Sequence, residues 1–275
     1  MLARKLIGAG GQGGESVTPL TDITTLSYSS DSMATTSLGS RGLAFTADGL
    51  TCYIMNLTAG DDDVLQYDLS TPWDLSTGSY TSTSGALAEG SSFEDIFLRP
   101  DTETTLYLTD GISDTIYQYT LTAGDITTLS YASKSYTITS GATQPKGIVL
   151  SPNGEALFVV CSGTDAVHQY TLSTAWDIST ASYDSKSFSI ASEEANPQAL
   201  TANSDGSCFF VVGAGTDTIY QYNLSTPWDA STASYASKSL SVLSEEGGAR
   251  GLFLDPSNTR MFLIGATNDT VFKYT

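Results

Sequence analysis

Short apolar or alternating runs recur along the chain, separated by clusters of Gly, Asn, Asp, Ser and Thr. The first complete set reads GLAF then ADG (42–49), TCYIMN (51–56), VLQYDL (64–69) and, after TPWDLST, SYTSTSGAL (79–87). Runs of this length bounded by turn residues predict β-strands, and no helical pattern lies between them. We label the four strands A to D. A later set repeats the order as GIVLSPNG, ALFVV, AVHQYTL and SYDSKSFSI.

The repetition is regular. A Tyr after Gln or Lys marks strand C at Tyr67, Tyr119, Tyr170, Tyr222 and Tyr274, with spacings of 52, 51, 52 and 52. A four-stranded antiparallel unit with a period near 50 describes a propeller blade, so the expected fold is all-β, a five-bladed β-propeller. Residues 26–37 (LSYSSDSMATTS) match strand D, whereas the chain stops at VFKYT, a strand C. The N-terminal strand is therefore expected to close the last blade and remove an open sheet edge. Residues 16–275 are assigned to the propeller, and residues 1–15 to a Gly-rich N-terminal tail carrying Leu2, Arg4, Lys5, Leu6 and Ile7.

Composition narrows the function classes. Eleven Lys and Arg against 30 Asp and Glu give a net charge of -19, which repels nucleic acid and anionic bilayers alike. No apolar run is long enough to span a membrane as a helix, and the opening lacks a secretory apolar core, so neither membrane insertion nor export through a cleaved signal is expected. Cys52, Cys161 and Cys208 lack metal or disulfide spacing and read as small core residues.

Comparing the copies separates positions the fold demands from positions it leaves free. Asp22, Asp74, Asp125, Asp177 and Asp229 recur before strand D and are expected to cap the C–D connection. Asp62, Asp114, Asp165, Asp217 and Asp269 recur in the B–C turns and are read as turn formers. Lys134, Lys186 and Lys238 lie on strand D, where an edge charge discourages sheet-to-sheet pairing. Asp61, Asp62 and Asp63 form an acidic turn that could hold Ca²⁺ if carbonyls supplied further oxygens; no other cofactor is indicated. Trp73, Trp176 and Trp228 on the C–D connections are candidate sugar platforms, with packing onto the blade as the competing role.

The residue entering strand A escapes the repeat: Arg41, Glu94, Lys146, Gln198 and Arg250. These five are expected to ring the mouth of the central channel, beside Glu89, Glu193, Glu194, Glu245 and Glu246 of the D–A loops. They form the best candidate binding site, and mutual pairing of charges is the competing reading. The single histidine, His168, takes a strand C position filled elsewhere by Leu65, Tyr117, Tyr220 and Phe272, which favours packing over catalysis. No nucleophile elbow, phosphate-binding loop or histidine cluster is present.

The unit GIVLSPNGEALFVVCSGTDAVHQY resembles the repeats of lactonase-like and YVTN-type propellers. The longer form YQYTLSTAWDISTASYDSKSFSI resembles propeller repeats of bacteriophage and environmental bacterial proteins, and MLARKLIGAGG resembles the N-terminal segment of phage virion proteins. The resemblance implies a non-enzymatic virion protein, tail- or capsid-associated, that docks on other virion proteins through residues 1–15 and meets host-surface glycan or protein. The alternative is a lactonase-like or glycan-cleaving hydrolase with an acidic, Ca²⁺-binding mouth that depends on Glu94. A third reading is an extracellular adhesion module.

Overall fold

A computed structural model describes residues 20–37, 39–58, 61–138 and 141–275; the tail assigned to residues 1–15 lies outside them. Five four-stranded antiparallel sheets follow one another around an axis. Strands A to D of blade 1 are Ser40–Phe45, Thr51–Thr58, Asp61–Leu69 and Gly78–Thr83. Those of blade 2 are Phe93–Leu98, Thr105–Asp110, Thr115–Thr122 and Asp125–Thr137, and those of blade 3 Pro145–Leu150, Ala156–Cys161, Ala166–Leu172 and Ala181–Ser189. Blade 4 comprises Pro197–Ala202, Cys208–Gly213, Thr218–Leu224 and Ala233–Ser241; blade 5 has Ala249–Leu254, Met261–Gly265 and Thr270–Tyr274.

The fourth strand of blade 5 is Tyr28–Ala34, which pairs antiparallel with the C-terminal strand from Tyr28↔Tyr274 to Ala34↔Thr270. Ser27 and Thr275 exchange backbone hydrogen bonds just beyond it, at 3.1 and 3.0 Å. The two chain ends thus close the ring in one sheet, as the D-like pattern of residues 26–37 predicts.

Alternation along the strands sends side chains to both faces of each blade, so no blade holds a core by itself. The buried apolar residues instead form five clusters, one per blade interface. Between blades 1 and 2, for example, Tyr53, Met55 and Val64 meet Phe93, Ile96 and Leu106. Between blades 3 and 4, Phe158 and Val160 meet Phe209 and Val211, with the Phe158 and Phe209 rings edge-on at 4.9 Å.

Polar side chains add a second set of ties between blades. The Gln before the repeated Tyr is buried and accepts a backbone N–H from the next blade's C–D connection. Gln66 takes that of Ile126, Gln118 of Ile178, Gln169 of Ala230 and Gln221 of Ile23, at 2.8–3.0 Å. A bulge in strand D of blades 2 and 3 brings Lys134 opposite Gln118 and Lys186 opposite Gln169. These lysines pair with the capping Asp of the following blade, Lys134 with Asp177 at 2.7 Å and Lys186 with Asp229 at 2.8 Å, and Lys238 likewise meets Asp22 at 3.0 Å. The lysine ring is therefore an interblade clamp, which corrects the edge-protection reading. Hydrogen bonding to Lys134 holds the Asp177 carboxyl below its usual value.

Between blades 5 and 1 the charges exchange strands. Lys273 stands in the Gln position, donates to the Trp73 carbonyl at 3.0 Å and pairs with Asp31. Asp31 in turn accepts the N–H groups of Leu75 and Ser76. The first Asp ring caps as expected: Asp22, Asp74, Asp177 and Asp229 each begin a single 3₁₀ turn and accept the N–H two residues on.

Candidate binding site at the channel mouth

Every strand A carries a register shift at its entry, between Ser40 and Leu43, Phe93 and Asp95, Pro145 and Ile148, Pro197 and Ala199, and Ala249 and Gly251. A bulge leaves a residue outside the ladder and re-aims its side chain. Here that residue is Arg41, Glu94, Lys146, Gln198 or Arg250, the five that the repeat comparison selects.

The structure brings these five together in two groups. Glu94 accepts from Lys146 Nζ at 2.6 Å through one oxygen and from Arg41 at 2.8 Å through the other. Arg250 donates to Gln198 Oε1 at 2.6 Å. Glu94 and Gln198 are buried, while Arg41 keeps 20% and Lys146 14% of its side-chain surface exposed. Lys146 and Arg41 thus share one carboxylate, while the side-chain partner of Arg250 is an uncharged carboxamide. Burial, and then the neighbouring Arg41 guanidinium, pull Arg250 below the ordinary arginine value. The Nε atoms of Arg41 and Arg250 are both buried without a hydrogen-bond partner in the protein. A guanidinium carries five donors, so this ring is short of acceptors.

The loop glutamates do not supply them. Glu194 is buried and accepts from the backbone of Asn196, Gly215 and Thr216 and from the Thr216 hydroxyl. Glu246 is likewise buried and accepts from Gly248, Thr267 and Asn268. Glu89, Glu193 and Glu245 accept from the hydroxyls of Tyr119, Tyr222 and Tyr274. All five fasten the D–A connection to the blade it enters. In blade 2 Asp110 plays the Glu194 part: burial raises its pKa, yet N–H donors from Ser113, Ser91, Ile112 and Ser92 outweigh that and hold it below 3.8. The second Asp ring does more than form turns, since Asp62, Asp217 and Asp269 accept the N–H that opens the next blade's strand A, and Asp114 accepts that of Gln144.

The other candidates fall elsewhere. Asp63 is engaged by Asn56 at 2.7 Å and Thr83 at 2.6 Å, whereas Asp62 reaches Phe93, so the two carboxylates diverge; the Asp61 side chain lies outside the described residues. Among the described residues no group of three His, Cys, Asp or Glu side chains could hold a metal ion. Trp176 is buried and Trp73 and Trp228 are half-buried. Each ring lies on the A–B turn glycine of its own blade, where a Cβ on Gly49, Gly154 or Gly206 would stand 2.3 Å from the indole. Each tryptophan is thus packed onto its own blade, with one part of the Trp73 and Trp228 rings left exposed. His168 Nε2 pairs with the Thr164 hydroxyl at 2.9 Å, its Nδ1 is buried without a partner, and burial lowers its pKa.

The comparisons agree with this architecture. By structure the chain is similar to a protein of unknown function from Desulfotomaculum acetoxidans, at 16% identity and TM-score 0.54 over 83% of this chain and 66% of that one. It is similar to a candidate 6-phosphogluconolactonase from Bacteroides fragilis, at 15% identity and TM-score 0.51 over 86% and 70%. The Swd1 β-propeller domain of Myceliophteria thermophila matches at 11% identity and TM-score 0.52, over 90% of this chain and 99% of that domain. These likenesses are of fold, and the chain spans just under two thirds of the length of the first of these relatives. No curated protein sequence matches the chain. Residues 20–177, more than half of the sequence, match the family described as lactonase, seven-bladed β-propeller, although the ring here closes with five blades. The chain therefore belongs to the lactonase family of β-propellers.

Proposed function

We propose that the chain is a non-enzymatic recognition propeller whose channel mouth takes an anionic group, such as the carboxylate of an acidic glycan or protein. One observation carries this reading: the Arg41 and Arg250 guanidiniums sit half-buried at the mouth with too few acceptors. Buried donors left unmade cost about 1–3 kcal/mol each, and a bidentate carboxylate would supply the missing partners. The same geometry argues against hydrolysis there. Both oxygens of Glu94 are held by cations, so neither is free to take a proton from water.

Calorimetric titration with galacturonate oligomers tests the proposal. Binding is expected that falls at least tenfold in Arg250→Leu and weakens with salt, while neutral galacto-oligomers do not bind; salt-independent binding or equal binding by the variant would overturn it. Family membership favours a second reading, hydrolysis of a sugar lactone. Release of acid from δ-gluconolactone or 6-phosphogluconolactone is expected at the spontaneous rate. Acceleration that Glu94→Gln removes would establish the enzyme instead.

In its biological setting, this reading makes the propeller a phage virion component, docked on other virion proteins through residues 1–15 and facing host-surface glycan or protein. The support is the resemblance of MLARKLIGAGG to virion-protein N-termini. Mass spectrometry of density-purified particles is expected to find the chain in fixed ratio to the major capsid protein, and its absence would sink the assignment.

A further inference from the structure

The channel has a second, chemically different end. Where the five A strands finish, they enclose an open cavity of about 270 Å³ on the propeller axis, walled by Phe45, Phe97, Val149, Leu200, Phe253 and Trp228. Close-packed interiors leave few voids larger than a water molecule, and apolar cavities of this kind take up apolar guests. The space suits a molecule of roughly ten to fifteen non-hydrogen atoms.

Repeat comparison points to the same place. The third residue from the strand A entrance is Gly42, Gly147, Ala199 or Gly251 in four blades, but Asp95 in blade 2. Asp95 lines the cavity, is buried, and accepts the Ile148 N–H at 3.1 Å through Oδ2. No cation is paired with it among the described residues. Burial pushes its carboxyl well above the ordinary carboxylate range, against the N–H groups of Ile96 and Ile148 that lower it, and a carboxyl that holds its proton can donate a hydrogen bond. Two positions further along, the wall residues are Ala44, Phe97, Val149, Thr201 and Phe253, different in shape from blade to blade. The position between is Leu or Ile in all five: Leu43, Ile96, Ile148, Leu200 and Leu252. The fold demands the latter set; it does not explain the asymmetry of the former or a lone acid among three glycines and an alanine.

We infer that this end of the channel is a site for a small, neutral, mainly aromatic or aliphatic molecule bearing one hydrogen-bond acceptor, which Asp95 receives. It is distinct from the anion site, because its cavity opens where the strands finish and is lined by none of the five mouth residues, although Asp95 directly follows Glu94.

The test titrates the whole protein with acetophenone, toluene and benzoate, read by ligand-observed NMR and calorimetry. Acetophenone is expected to bind about tenfold more tightly than toluene, and benzoate more weakly than either, since an anion finds no cation there. Asp95→Gly installs the residue that three other blades carry; it is expected to bring acetophenone down to the toluene level and leave toluene unchanged. Thr201→Phe places in the wall the side chain found at this position in blades 2 and 5, and is expected to abolish binding of both. Val149→Phe serves the same purpose should Thr201→Phe fail to fold. Absence of toluene and acetophenone binding, binding that survives the filled cavity, or unchanged acetophenone affinity in Asp95→Gly would each overturn the inference. Arg250→Leu is expected to leave these affinities intact, which keeps the result distinct from that of the mouth.

Discussion

Removal of residues 20–37 is expected to leave no monomeric propeller. These residues supply strand D of blade 5 and the 3₁₀ turn before it, and they bury Leu20, Ile23, Leu26 and Met33. At roughly 1.5–3 kcal/mol for each fully buried side chain, that is about 6–12 kcal/mol of gross stabilisation. This is comparable with the whole net stability of an ordinary domain, about 5–15 kcal/mol. The deletion also takes away the Ile23 N–H that satisfies buried Gln221 and uncovers the backbone edge of Thr270–Tyr274. An uncovered edge next to an exposed apolar face templates pairing with another copy. The shortened chain should appear by light scattering as concentration-dependent oligomers or aggregate, and a synthetic peptide of residues 20–37 added during refolding should restore the monomer. A cooperatively melting monomer without the peptide would show that the closing strand is dispensable.

That strand was legible because five copies of one unit gave an internal standard. Against it, a D-like segment at the start and a missing strand D at the end stand out. The standard also isolated Arg41, Glu94, Lys146, Gln198 and Arg250, because a bulge in every strand A aims the entry residue out of the ladder, where the fold places no demand on it. What stayed hidden depends on contacts between copies rather than within one. Gln66, Gln118, Gln169 and Gln221 recur visibly beside the marker Tyr, yet their partners lie about 60 residues on or, for Gln221, near the N-terminus. A recurring uncharged polar residue inside an apolar strand was the available signal for a buried cross-blade bond. The lysines three residues after the strand D Tyr looked like edge charges for the same reason: the Asp that each one meets belongs to the next blade. The cavity at the far end was hidden for a different reason. Its wall depends on how five strands converge, which periodicity along one strand does not encode.

The adjacent glutamates of the D–A loops show the limit most clearly, and they give the second large effect. In SEEGGAR, Glu245 and Glu246 are indistinguishable by pattern, but Glu245 meets the Tyr274 hydroxyl at 3.2 Å whereas Glu246 is fully buried. Glu246 accepts from Gly248, Thr267 and Asn268 at 2.9–3.1 Å, joining the loop entering blade 5 to that blade's B–C turn. Replacing it by Leu leaves three backbone donors unpaired in a confined space, at about 1–3 kcal/mol each before relaxation. Glu246→Leu is therefore expected to cost about 3–5 kcal/mol and to lower Tm by roughly 10 °C, measured by urea and thermal unfolding at neutral pH. Glu245→Gln, which keeps an acceptor for Tyr274, should cost less than about 1 kcal/mol. The contrast separates scaffold from site: were Glu246 an open carboxylate at the mouth, its loss would relieve repulsion, tighten galacturonate binding and spare the melt. A Glu246→Leu protein that unfolds like the parent but binds galacturonate more tightly would return this carboxylate to the channel mouth.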